Sequence, residues 1–348
     1  MVKKFKKQKK LSKSKKDKNP QKNINKITFK KLSKIKIENY QKGFCQKYQN
    51  VLILQDGNIL VNTANNILII YDKNNFSIIN KYDINYSAEE KYISSIIQLN
   101  NGYFVCCMTF YSSKTDLILF DISKNKVKII QKIIFDQMVS KIACMTNWDL
   151  VVGIFGYCQF YKFEKEKENY ILKDTIKFKY GNFYVTQIYE IEKDKILFVG
   201  DHDCGNFSGA YIYHMLNGQK QLLFEVSDKF SFELDDKAIL INNKYIIIAN
   251  IDKTIIVFDI NNKQINLIKE YDNDIFNIIK INDNYFLTGD YRGYLTLYNF
   301  DNGEINEIKN KKVSRNHFSI TVLKDKKIII LDKRTGDLST YQIDGIKI

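Results

Sequence analysis

Proline occurs once in the 348 residues, at Pro20, and glycine only 15 times, so a collagen-like chain is excluded. The six cysteines are Cys45, Cys106, Cys107, Cys144, Cys158 and Cys204, and no two have C-x-x-C spacing. That excludes zinc ribbons and thioredoxin-like motifs. No stretch reaches the roughly 18 uncharged apolar residues of a transmembrane helix, so no membrane insertion is expected. Nucleophile-elbow, Walker A, H-E-x-x-H and dinucleotide glycine patterns are absent. Only three histidines, His202, His214 and His317, are available for catalysis or metal binding. Asp201, His202, Asp203 and Cys204 are metal-ligand types. Their alternation along a loop, without more histidines, reads as a polar loop rather than an ion site. No catalytic, cofactor-binding or metal residue is assigned, and no cofactor is expected.

What is present suffices for a folded domain. Hydrophobic residues make up 45% and aromatics 14% of the chain, which supplies a sizeable core and excludes a wholly disordered chain. Ile, Lys and Asn number 53, 51 and 36, while arginine occurs only at Arg292, Arg315 and Arg334. The three abundant types share A/T-rich codons, so the composition carries the imprint of an AT-rich genome.

Charge is unevenly placed. Residues 1–40 hold 16 Lys against Asp17 and Glu38 and carry +14 of the net +15. The body is therefore almost neutral, which argues against a uniformly basic nucleic-acid surface on it. Residues 1–25 are low in complexity, repel themselves and bury little, so a disordered basic tail is expected there. Its lysines are Lys3, Lys4, Lys6, Lys7, Lys9, Lys10, Lys13, Lys15, Lys16 and Lys18. They admit three readings: an import-receptor signal, direct contact with RNA or another polyanion, or compositional drift. Lysines act on phosphates as point charges, and Phe5 alone offers no stacking platform. No apolar segment follows them as in a secretory signal. Val2, Phe5 and Leu11 are too sparse for an amphipathic presequence. Together with unpaired cysteines this points to an intracellular, reducing compartment, cytoplasmic or nuclear.

From about residue 26 short apolar runs rich in Ile, Val, Tyr and Phe alternate with turn pairs such as Asp56-Gly57, Asn101-Gly102, Asn217-Gly218 and Asn302-Gly303. This is strand-and-hairpin texture. Residues 163–170, FEKEKENY, read as a charged hairpin tip rather than a helix. One strand pattern recurs: ILIIYD (67–72), LILFDI (117–122), CQFYKF (158–163), AYIYHM (210–215), IIVFDI (255–260), LTLYNF (295–300) and LSTYQI (338–343). Anchored on Tyr71, Phe120, Tyr161, Tyr213, Phe258, Tyr298 and Tyr341, the spacings are 49, 41, 52, 45, 40 and 43. That matches the roughly 40–45-residue period of a four-stranded propeller blade.

The finer pattern resembles a known family. Residues 288–299, TGDYRGYLTLYN, follow the WD40 signature S-G-S-x-D-G-x-I-x-L-W-D, with Tyr298 for the Trp and Arg292 for the turn Asp. Residues 248–259 align likewise and keep Asp252; residues 62–72 place Asn65 there. The chain resembles the WD40-like propeller superfamily over residues 26–348. It departs from it in having no Trp-Asp pair and no Gly-His pair. The Asp–His–Ser–Trp hydrogen-bond network of orthodox blades therefore cannot form, and apolar packing must hold the blades.

The expected architecture is all-β: seven four-stranded antiparallel blades and a disordered tail, with residues 1–25 as tail and 26–348 as propeller. After Tyr341 too little chain follows for a fourth strand, so a strand at about 27–32 is expected to close the last blade. The resemblance implies a non-catalytic protein–protein interaction scaffold with protein partners. A nuclear or nucleolar ribonucleoprotein component with an RNA-contacting tail is the alternative, and an enzyme using the central pocket is the third reading.

Removing residues 1–25 is expected to leave the calorimetric melting temperature nearly unchanged. A fall of several degrees would show that the tail packs on the body.

Overall fold

A computed structural model describes residues 27–37, 51–63, 66–84, 91–110, 114–123, 126–147, 149–178, 183–202, 207–227, 238–249, 253–271, 274–315, 318–323 and 326–346. The tail at 1–25 lies outside them. The described elements are all strands. β1 (Thr28–Lys36) comes first, and the next 24 form six consecutive sheets. Blade one is β2 (Val51–Ile53), β3 (Ile59–Asn62), β4 (Ile67–Tyr71) and β5 (Ile78–Asp83). Blade two is β6 (Lys91–Gln98), β7 (Phe104–Phe110), β8 (Thr115–Ser123) and β9 (Lys126–Phe135). Blade three is β10 (Val139–Cys144), β11 (Leu150–Ile154), β12 (Tyr157–Glu164) and β13 (Asn169–Lys177). Blade four is β14 (Tyr184–Glu192), β15 (Lys195–His202), β16 (Phe207–His214) and β17 (Gln219–Ser227). Blade five is β18 (Ala238–Ile241), β19 (Tyr245–Ala249), β20 (Thr254–Asp259) and β21 (Gln264–Glu270). Blade six is β22 (Ile275–Asn282), β23 (Tyr285–Asp290), β24 (Tyr294–Asp301) and β25 (Glu304–Lys312). Blade seven has β26 (Phe318–Val322), β27 (Lys327–Asp332) and β28 (Asp337–Asp344), with β1 paired outside β28. Residues 163–170 turn between β12 and β13, the hairpin tip that their charge suggested.

Strand alternation makes every blade apolar on both faces. Cys106 packs with the blade-one side and its neighbour Cys107 with the blade-three side. Val151 and the flanking Leu150 and Val152 divide in the same way. Seven apolar clusters result, each shared by two neighbouring blades, and the last joins blade seven to blade one. The core is therefore a ring of interfaces.

The seven anchor aromatics occupy equivalent places. Tyr71, Phe120, Tyr161, Tyr213, Phe258, Tyr298 and Tyr341 all lie on the third strand of their blades. All are nearly fully buried, and each faces the cluster shared with the preceding blade. In six blades the pairing to the outer strand slips by one residue at the anchor, leaving an extra residue such as Ile79 or Leu32 unmatched. In blade four the slip falls between Ala210 and Tyr211. Such bulges bend the strand and increase its twist. The Asp after the anchor also has a task. Asp72 Oδ1 accepts the backbone N–H groups of Asn74 and Asn75, and Asp259 Oδ1 accepts those of Asn261 and Asn262. Each carboxylate thereby caps the turn to the outer strand.

Closure of the ring joins the two ends of the chain. β1 runs antiparallel to β28, from Thr28 opposite Asp344 to Lys36 opposite Asp337. It extends past residues 27–32, and Phe29 is 5% exposed in the cluster with Phe276, Phe318 and Tyr341. Lys311 of blade six donates to the Phe29 carbonyl at 2.6 Å.

Phe29→Ala is expected to cost about 3–5 kcal/mol in chemical denaturation, because it empties a closed site at the seam. Leu32→Ala, at a bulge residue that is 45% exposed, should be nearly neutral. Equal effects would mean that β1 adds only backbone pairing.

Candidate docking site

A recess lies at that seam. A groove of about 370 Å³ opens between blades six and seven. One wall is Lys31 and Lys34 of β1. The second is Lys312 at the end of β25 with Val313, Ser314 and Arg315 of the link to β26. The floor is Ile330, Asp332, Thr335, Asp337 and Ser339 of blade seven. The groove thus sits on the face that carries the links between blades and the turns from second to third strands.

Local hydrogen bonding fixes its shape. Gly293, at φ +85°, accepts at its carbonyl from the N–H groups of Val313 and Ser314, at 2.9 and 3.2 Å. A Cβ at Gly293 would lie 2.1 Å from the Ser314 carbonyl oxygen. Only glycine permits this close approach of turn 290–293 to the link. Ser314 Oγ donates to Asp332 Oδ2 at 2.5 Å. Asp332 Oδ1 accepts the N–H groups of Arg334 and Thr335, both at 3.0 Å. Three loops are thereby stitched together: 290–293, 313–315 and 332–336.

The groove carboxylates are occupied internally. Asp337 Oδ2 accepts from Thr335 Oγ1 at 2.8 Å and pairs with Lys34 Nζ at 2.7 Å. Burial opposes its ionisation, but Lys34 and Thr335 outweigh that and hold the carboxyl below its ordinary value. The lysines use the aromatic rings. Lys31 and Lys311 stand 5.9 and 5.3 Å from the Tyr341 ring centre, and Lys312 stands 5.4 Å from that of Tyr294. Burial pushes the Tyr341 hydroxyl upward, so it stays neutral beside them.

The residues singled out in the sequence fall elsewhere. Lys3, Lys4, Lys6, Lys7, Lys9, Lys10, Lys13, Lys15, Lys16 and Lys18 lie outside the described residues, as do Asp203, Cys204 and His317. Asp201 and His202 end β15, and His214 ends β16 half-buried. Among the described residues no three His, Cys, Asp or Glu gather as a metal site would require. Cys106, Cys107 and Cys158 are buried free thiols, held well up from the ordinary thiol value by that burial. No described helix is long and apolar enough to cross a membrane. The groove itself was missed by motif reading. Its lining comes from three separate stretches of chain, 31–34, 312–315 and 330–339, which no local motif joins.

The architecture has close structural counterparts. A chain of the crystal structure of the mitotic checkpoint complex superposes with a TM-score of 0.70, covering 96% of this chain and 97% of that chain at 9% identity. The fold is a WD40-like β-propeller. BamB from Moraxella catarrhalis superposes on this propeller with a TM-score of 0.60, covering 92% of it and 99% of that chain at 11% identity. No family model and no curated protein matches the sequence. The propeller therefore keeps the shape of these structures with side chains almost entirely its own.

Gly293→Ala is expected to lower stability by several kcal/mol, because a Cβ meets backbone and φ is positive. Thermal denaturation measures this. Gly102→Ala is the control, since a Cβ there meets nothing within 4 Å and only its φ of +90° is penalised. An equal loss in both would remove the case for a tight junction at 293.

Proposed function

We propose that the chain is a non-catalytic protein–protein interaction scaffold whose docking site includes the groove between blades six and seven. The observation that carries this reading is the groove itself. It is a recess in the ring, lined by exposed cations and by carboxylates already engaged within the groove, and among the described residues no metal set gathers. Polar, directional lining of this kind suits recognition of a partner surface more than chemistry on a small substrate. The WD40-like fold supports the same reading, since propellers of this type commonly serve as interaction platforms. The unpaired cysteines support placement in a reducing compartment, cytoplasm or nucleus.

A second reading rests on the tail. The +14 charge of residues 1–40 favours RNA or another polyanion, as a ribonucleoprotein component requires. Such binding falls steeply with salt.

Affinity purification with quantitative mass spectrometry separates the two. Three proteins are compared: the full chain, a chain lacking residues 1–25, and a Lys34→Glu/Arg315→Glu variant. A defined protein set that survives tail removal and is lost on groove reversal supports the scaffold. Capture that disappears with the tail and leaves the groove variant unaffected refutes it and favours the polyanion reading.

A further inference from the structure

Among the described residues, exposed large hydrophobic side chains gather on the outer strands of the blades, as at Ile79, Leu172 and Ile265. β9, the outer strand of blade two, carries two of them, Ile129 at 44% and Ile134 at 65% exposure. It is also the longest described strand, with ten residues reading KVKIIQKIIF. That segment holds three lysines and has no carboxylate, glycine or proline. β9 ends the sheet order β6-β7-β8-β9, so one edge of its backbone pairs with no other described strand. A long apolar edge of this kind is a ready template for another strand.

Pairing with β8 fixes which way each side chain points. Val127 and Ile129 stand opposite Ile122 and Phe120, which pack toward blade one. Lys126 and Lys128 alternate with them, face blade three and are exposed. Beyond the unmatched Ile130, Ile134 stands opposite Asp116 on the side of blade one again. Lys132 is paired with Asp116 at 3.1 Å. The edge thus shows an apolar row on one face and a cationic pair on the other. Other outer edges are engaged by the preceding blade. Gln131 of β9 bonds both the N–H and the carbonyl of Tyr170 on β13, each at 2.7 Å. Lys269 donates to the Ile305 carbonyl of β25, and Lys311 to the Phe29 carbonyl of β1.

We propose that β9 is a strand-addition site, which takes as a fifth strand of blade two an extended partner segment in which carboxylates alternate with apolar residues. Main-chain bonds to the open edge supply affinity, and the alternation supplies specificity. Apolar residues of the segment lie beside Val127 and Ile129, and its carboxylates lie beside Lys126 and Lys128. Opposite charges across such a pair stabilise it and like charges oppose it. A second copy of this chain is therefore the wrong occupant, because its β9 brings three lysines and no carboxylate. The lysines guard the edge against self-association and select an acidic strand. The site lies on the rim of blade two, apart from the groove between blades six and seven. It goes beyond the groove reading and stands or falls separately from it.

The test is fluorescence anisotropy of a labelled peptide alternating glutamate and valine with the full chain. The comparison is a peptide of the same composition with the glutamates and valines in separate blocks. The lysine tail attracts both equally, because their charge is the same. The alternating peptide is expected to bind about tenfold or more tightly, since the block peptide loses several cross-strand pairs. Lys126→Glu/Lys128→Glu, at two exposed positions, is expected to remove that preference. Hydrogen exchange on the unaltered chain gives the location without any variant. Saturating alternating peptide is expected to slow exchange of backbone amides within residues 126–135. Equal affinity for the two peptides, or no added protection there, overturns the proposal. So does protection of 126–135 that rises with protein concentration alone, which identifies a second copy as the occupant. Loss of peptide binding in the Lys34→Glu/Arg315→Glu variant places the peptide in the groove and also overturns it. A chain that ignores the alternating peptide but captures partners dependent on Lys34 and Arg315 refutes strand addition and leaves the scaffold standing.

Discussion

Every blade of this molecule is apolar on both faces, and neither face can be buried within the blade. A four-stranded sheet with Cys106 on one side and Cys107 on the other needs a neighbour on each. The only arrangement that leaves no blade with a bare face is a closed ring. The free energy of folding is thus collected at seven interfaces, by dispersion and the removal of apolar surface from water. Orthodox WD40 blades add a polar network through Trp, Asp, His and Ser. Here Tyr or Phe stands at the Trp position, and the Asp that follows it, as at Asp72 and Asp259, has become a local turn cap.

A ring made from a linear chain must be fastened somewhere. In this propeller the seam lies inside blade seven, where β1 adds to β28. Lys311 binds the Phe29 carbonyl, Lys34 pairs with Asp337, and Phe29 enters the apolar cluster between blades six and seven. The exposed ion pair contributes little alone, roughly 0–1 kcal/mol. The buried aromatic and the backbone ladder carry the fastening. The same closure completes the groove, because it sets β1 beside the link before β26 and the β27–β28 turn.

The period near 45 residues, the seven anchors and the strand texture were legible in the sequence because blade packing imposes them locally. One aromatic must fill each interface, and Asn-Gly or Asp-Gly pairs must turn each hairpin. For that reason the repeat spacing alone makes Tyr71, Phe258 and Tyr298 equivalent. The strand expected from the N-terminal side is β1, which pairs outside β28. The place of the bulge in blade four, the extension of β1 to Lys36 and the groove were not legible. The bulge turns on how two neighbouring strands register, and the reach of β1 turns on contacts across hundreds of positions, Lys34 on Asp337 and Lys311 on Phe29. Periodicity reports what a strand buries in its own blade. Contacts across the seam follow from ring closure, which only the tertiary structure decides.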